Sequence, residues 1–137
     1  MSQGYLLVRV DGRPYGLPLG RVLEVSDLRE VLDAPRALPA VRGLTTLRGR
    51  LVPVVHLGAL LGNRPAPERP GATVVLVRLG EQRQVAFEVD DADEVVRENP
   101  LPVPRGQDLP WAAGVARPRE GALVPILDLE ALEDRMR

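Results

Sequence analysis

The chain has 137 residues, 18 basic and 19 acidic side chains and a formal net charge of −1. This length suits one domain, and the balanced charge lacks the basic field that a dedicated nucleic-acid or anionic-membrane binder needs. With no Cys and one His, disulfides, thiolate chemistry and a multi-His metal site are excluded within the chain.

Taken in chain order, the elements read as β. The start, MSQGYLLVRVDGR, has no charged leader and its apolar run stops at Arg9, so no signal peptide is expected. No stretch approaches the ~18 apolar residues of a membrane span, so direct membrane insertion is not expected and the cytoplasm is the expected location. Leu6, Val8 and Val10 share one face of a period-2 run, and Asp11-Gly12 is a hairpin signal. LVPVV, with Pro53, predicts an edge or bulged strand, because proline donates no ladder bond. HLGALLG is a poor helix, interrupted by Gly58 and stopped by Gly62. Val74–Leu79 is another strand, turned by Gly80. The acid run Asp90–Glu94 lacks the ligand spacing and Gly turn of a calcium loop and reads as a solvated turn. Asn99–Pro110 reads as a rigid loop or a polyproline-type ligand, with Trp111 anchoring it. After LVPIL, with Pro125, the chain ends in a helix: Leu129, Leu132 and Met136 share a face and Asp128 caps it.

The chain is also a repeat. GRLVPVVHLGALL from Gly49 is answered by GALVPILDLEALE from Gly121, 72 residues on. LPAVRG from Leu38 is answered by LPWAAG from Leu109, 71 residues on, and YGLPLGRVLEV from Tyr15 by VAFEVDDADEV from Val85, 70 on. The sequence therefore predicts a mainly β fold of two similar small barrels packed together, with a short C-terminal helix. The expected boundaries are about 5–61 for the first barrel, 62–71 for a Pro-rich linker and about 72–137 for the second.

Catalytic chemistry is signalled nowhere. The hydroxyls Ser2, Ser26, Thr45, Thr46 and Thr73 share one imidazole, His56, and no nucleophile elbow or phosphate-binding loop is present. No cofactor or metal is implied. His56 reads as a strand-end or capping residue. One charged pair stands out: Glu24 in RVLEV and Arg48 in TTLRG. It is either an idle surface pair, worth about 0.2–1 kcal/mol, or a half-buried pair that shapes a docking surface.

VRGLTTLRGRLVPVVHLGALL resembles the hallmark of the CheW-like family of bacterial chemotaxis coupling proteins, close to KGxxNLRGxIVPVVDLR. The likeness extends from about Tyr5 to Leu132 and includes PYGLPLGRVLEV and TVVLVRLGEQRQVAFEVDDADEVV. The resemblance implies two five-stranded SH3-like barrels in a single domain and a non-enzymatic adaptor at receptor arrays. The partners it implies are the regulatory domain of a CheA-type histidine kinase and the cytoplasmic tip of chemoreceptors. It carries partner contacts onto Glu24 and Arg48, onto Val22 and Val25 beside the acid, onto Arg42 and Gly43 at the KG dipeptide, and onto Val95. Thr46, His56 and Gly58 depart from the family pattern, where Asn, Asp and Arg are usual. An adaptor of a type IV pilus chemosensory system is the alternative within the family. A small ligand-binding barrel or an enzyme of unfamiliar type is the alternative outside it.

Overall fold

The computed structural model describes residues 4–33, 40–62, 65–67, 71–106, 109–118 and 123–136. Leu38, much of the 62–71 linker, part of the Asn99–Pro110 loop and Gly121 lie outside the described residues.

Each repeat contributes a hairpin, a single strand, a second hairpin and a helix. In the first these are β1 (Tyr5–Val10), β2 (Arg13–Pro18), β3 (Val22–Asp27), β4 (Val41–Leu47), β5 (Arg50–His56) and α1 (Leu57–Leu60). In the second they are β6 (Thr73–Leu79), β7 (Arg83–Val89), β8 (Asp91–Val96), β9 (Ala112–Ala116), β10 (Val124–Leu127) and α2 (Leu129–Arg135). Asp11 and Gly12 both take positive φ, 52° and 77°, as the expected two-residue hairpin turn requires.

The strands form two five-stranded sheets, ordered β8-β1-β2-β10-β9 and β3-β6-β7-β5-β4. Exchanging each element for its repeat converts one order into the other. The register agrees with the sequence offsets. Val54 lies opposite Gly43 and beside Ala86, and Ile126 lies opposite Gly114 and beside Gly16. The duplication expected from the sequence is thus present in the hydrogen bonding.

The expected boundaries are not those of the sheets. The hairpin β1–β2 completes the sheet holding β8, β9 and β10, and the hairpin β6–β7 completes the sheet holding β3, β4 and β5. Neither half of the chain builds a sheet alone. Burial gives the reason. Tyr5 and Leu7 enter a small core with Val124 and Ile126, while Leu6, Val8 and Val10 enter a larger core between the sheets. A hairpin apolar on both faces needs cover on both, and the other copy's strands supply it.

Each sheet rolls around its own small core. Leu23 of β3 and Leu47 of β4, from opposite edges, meet the same cluster of Val52, Val54, Val74, Leu76 and Ala86. The edge strands do not pair with each other among the described residues, so both barrels stay open.

Two local expectations need correction. Pro53 and Pro125 lie on central strands, β5 and β10, and not on edges, and the bulges of these strand pairs fall just after them, at Val54–Val55 and Ile126–Leu127. Leu44, opposite Pro53, exchanges both backbone bonds with Leu32 at 2.9 and 2.7 Å. Val115, opposite Pro125, does the same with Leu101 at 2.8 and 2.7 Å. Each proline therefore sits in a non-hydrogen-bonded pair on its antiparallel side, and on its other side, toward β7 or β2, pairing begins only at the next residue, Val54 or Ile126, so no ladder donor is lost. The acid run is likewise no turn: from Asp91 it is the exposed edge strand β8, held by β1.

Candidate functional site

The β4–β5 turn presents Arg48. Leu47 pairs with Arg50, leaving a two-residue loop in which Arg48 has φ 53° and Gly49 φ 73°. This turn type wants positive φ at both positions, which Gly supplies freely and Arg at some cost. The reward is placement: Arg48 Nε lies 3.1 Å from Glu24 Oε1 on β3, so the expected pair forms. The Ser26 hydroxyl donates to the other carboxylate oxygen of Glu24 at 3.0 Å. The Arg48 side chain is 59% exposed and that of Glu24 27%. The pair is thus anchored at its acid end and open to water at its base.

Both residues line a cleft of about 770 Å³. One wall is Glu24–Asp27 of β3, and the other is Thr45–Leu47 of β4 with Arg48. These strands are the two edges of one sheet, so the cleft is the seam where that sheet fails to close. The segment after β3 crosses the seam: the Thr45 hydroxyl donates to the Glu30 carbonyl at 2.6 Å, and Leu32 bridges to Leu44. Thr73 of β6 and Asp91 and Ala92 of β8 complete the lining.

The other expected contacts are distributed differently. Val25 lines the cleft and is 47% exposed. Val22 packs against the central core. Val95 is 46% exposed on β8, at the edge of the other sheet and at the repeat position of Val25. Arg42 is turned inward and binds Glu88 of β7 through Nε to one carboxylate oxygen and through Nη2 to the other at 3.1 Å. Its Nη1 donates to the Pro67 carbonyl at 2.6 Å, and the Gly71 N–H donates to Glu88 at 2.8 Å, which pins the linker. Gly43 serves close packing: a Cβ there would stand 2.2 Å from the Leu32 carbonyl oxygen. Its repeat, Gly114, meets the Leu101 oxygen at 2.7 Å in the same way.

Sequence reading missed Asp27, Glu30 and Asp91 in the lining, because only the fold assembles them. It also missed Glu88, although a lone acid inside the buried run Val85–Val89 was a visible signal. His56 is a cap, as expected: its Nδ1 accepts from the Ala59 N–H at 3.0 Å. Its repeat is Asp128, which accepts from Glu130 and Ala131 at the start of α2. Trp111 anchors as expected, edge-on to Tyr15 with ring centroids 5.7 Å apart. Among the described residues no three His, Asp or Glu side chains are placed so that they could hold a metal ion, and no helix is long and apolar enough to cross a membrane.

The model of the CheW-like domain family matches residues 4–136. The chain belongs to the CheW-like family. It is a family of non-enzymatic scaffolding adaptors of chemotaxis. A curated relative, the chemotaxis protein CheW of Klebsiella aerogenes, is 24% identical over 96 residues, which is 70% of this chain. The match spans 57% of that relative's length. The crystal structure of the scaffolding protein TtCheW from Thermoanaerobacter tengcongensis is 21% identical, with a TM-score of 0.81 over 96% of this chain and 92% of that one. This likeness bears on the fold, which is the expected pair of SH3-like units in open form. Where the CheW-like pattern usually has Asp, His56 caps α1 here. Gly58 lets the β1–β2 turn approach, since a Cβ there would lie 2.4 Å from Asp11 Oδ2.

Proposed function

We propose that this CheW-like chain couples chemoreceptors to a CheA-type histidine kinase in a bacterial chemosensory pathway. It acts in the cytoplasm, at receptor arrays, and holds its partners without chemistry of its own. Glu24, Val25 and Arg48 form one contact surface, and Val95 belongs to a second on the other sheet. Arg42, Gly43 and Val22 support these surfaces from behind. The observation that carries this reading is the ion pair across the open seam, with one anchored acid and one exposed base, in a chain whose family scaffolds such assemblies. The Arg48 end of the pair already lies largely in water, where a partner's carboxylate can reach the guanidinium. Beside it, the half-exposed Val25 offers apolar area to bury.

Co-sedimentation of the chain with receptor-containing membranes and the kinase of the same organism tests the proposal. Assembly that requires the chain and fails with Arg48→Glu is expected; assembly indifferent to the chain overturns it. The alternative output, a type IV pilus system in place of a flagellar one, is tested by deleting the gene and scoring twitching against swimming.

A further inference from the structure

The walls of the seam carry unused strand-pairing groups. The Leu28 N–H donates to the Ala72 carbonyl, which sets the phase of the β3–β6 ladder. On that phase Ser26 and Glu24 turn their backbone groups to β6, and Val25 and Asp27 turn theirs outward into the seam. No backbone partner for Val25 or Asp27 occurs there among the described residues. On the facing edge, the non-hydrogen-bonded pair Thr46–Leu51 aims the Thr46 groups the same way. Both edges therefore present donors and acceptors at strand spacing to one cleft. Exposed edges of this kind template a further strand.

The side-chain lining adds a second constraint. The cleft holds four carboxylates, Glu24, Asp27, Glu30 and Asp91, against two guanidinium groups, Arg29 and Arg48. Arg48 is engaged by Glu24. Asp27, Glu30 and Asp91 make no ion pair among the described residues. Leu32 and Leu47 supply an apolar side to the same cleft. An extended chain sends alternate side chains to opposite faces, so apolar residues alternating with basic ones meet both linings at once.

We propose that the open seam between β3 and β4 accepts an extended basic segment of a partner protein, which adds along β3 as a sixth strand of that sheet. Main-chain bonds to Val25 and Asp27 supply affinity. The carboxylates select Arg or Lys side chains, as in strand-addition recognition generally. This rests on the reading of the cleft as a docking site, and adds to it the form and charge of what docks.

The probe is a blocked hexapeptide of alternating Arg and Val, titrated calorimetrically into the full chain. Binding is expected, and a Glu-Val peptide of the same length should bind at least about tenfold more weakly. N-methylation of alternate amides blocks one edge of the peptide; one of the two methylation patterns should cost at least about tenfold and the other little. On the protein, Val25→Pro removes an N–H that makes no ladder bond, so the fold tolerates it, and the peptide should be lost. Val25→Ala, which keeps the N–H, should weaken peptide binding far less than Val25→Pro does. No heat of binding up to millimolar peptide, or equal affinity for both methylated peptides, overturns the proposal whether or not Val25→Pro folds. Co-sedimentation with receptor and kinase runs in parallel. Intact assembly without peptide binding overturns strand addition alone, whereas assembly unchanged in Arg48→Glu overturns the docking reading itself.

Discussion

Arg42 grips both carboxylate oxygens of Glu88, and neither side chain is more than a tenth exposed. The two sit on β4 and β7, with β5 between them. The pair also fixes the Pro67 carbonyl and the Gly71 N–H of the connection between the repeats. The Arg of the KG-type dipeptide is thus held inside the fold by its own ion pair.

Arg42→Ala should therefore destabilise the chain by about 3–5 kcal/mol, the cost of leaving one member of a buried ion pair alone. Arg42→Lys keeps the charge and loses the fork, so it should fall between wild type and Ala. Arg42→Met with Glu88→Leu removes both charges and should recover most of the loss. Urea denaturation followed by circular dichroism measures all three; a loss below about 1 kcal/mol in Arg42→Ala would show the clamp to be idle.

Arg48 should behave in the opposite way. Its side chain is largely in water, so Arg48→Glu should change folding stability by no more than the ~0.2–1 kcal/mol of a surface ion pair. Arg48→Asn separates the turn from the pair. Asn-Gly is the preferred sequence for this turn, so the variant should be at least as stable as wild type, yet weaken assembly with receptor and kinase as Arg48→Glu does. Melting curves read the first effect and co-sedimentation the second. An Arg48→Asn chain that assembles normally would remove the guanidinium from the contact surface.

Tyr5 offers a test by pH. Its ring is fully buried and its hydroxyl has no hydrogen-bond partner among the described residues. Burial pushes the hydroxyl above its usual pKa of 10.0, with Glu98 and Glu94 adding to the effect. The folded state then holds the proton more tightly than the unfolded chain. Stability from this group is complete below pH 10 and is lost as pH rises through the folded value. Tyr5→Phe should abolish that alkaline loss. Near neutral pH it should be neutral or stabilising by up to about 1–3 kcal/mol, since an unpaired buried hydroxyl is removed. Denaturation midpoints between pH 8 and 11 would show it; parallel pH profiles for both chains would contradict it.

The exchanged hairpins predict how the chain can be divided. A chain broken after Gly62 should give two fragments that are each unfolded, because every sheet draws strands from both repeats. Mixed in equal amounts, they should regain the β signature by circular dichroism. An N-terminal fragment folding alone would mean that β3, β4 and β5 close around β1–β2 when β6–β7 is missing.

Much of this architecture is legible in the sequence. Offsets of 70, 71 and 72 residues reappear as Tyr15 with Val85, Gly43 with Gly114, and Val54 with Ile126. The hairpin turn at Asp11-Gly12 and the Asp128 cap follow from local backbone chemistry, which needs no knowledge of distant residues. The Glu24–Arg48 pair was also visible, through a motif.

Pairing between strands was not. Both copies carry the same apolar alternation, so periodicity is satisfied equally by a hairpin that stays with its own repeat and by one that joins the other. Burial of both faces of β1 and β6 decided it. The same holds for proline: the Leu32–Leu44 bridge shows that Pro53 turns its nitrogen away from β4 and toward β7, and the central strand tolerates it because pairing with β7 begins only at Val54. Asp91–Val96 has the composition of a turn, and it is a strand because the β1 edge offers it a ladder. Chain-local signals set the repeat, the turns and the caps. Which edges met, which remained open, and which charges turned inward depended on contacts far apart in sequence, and only the folded chain brought those together.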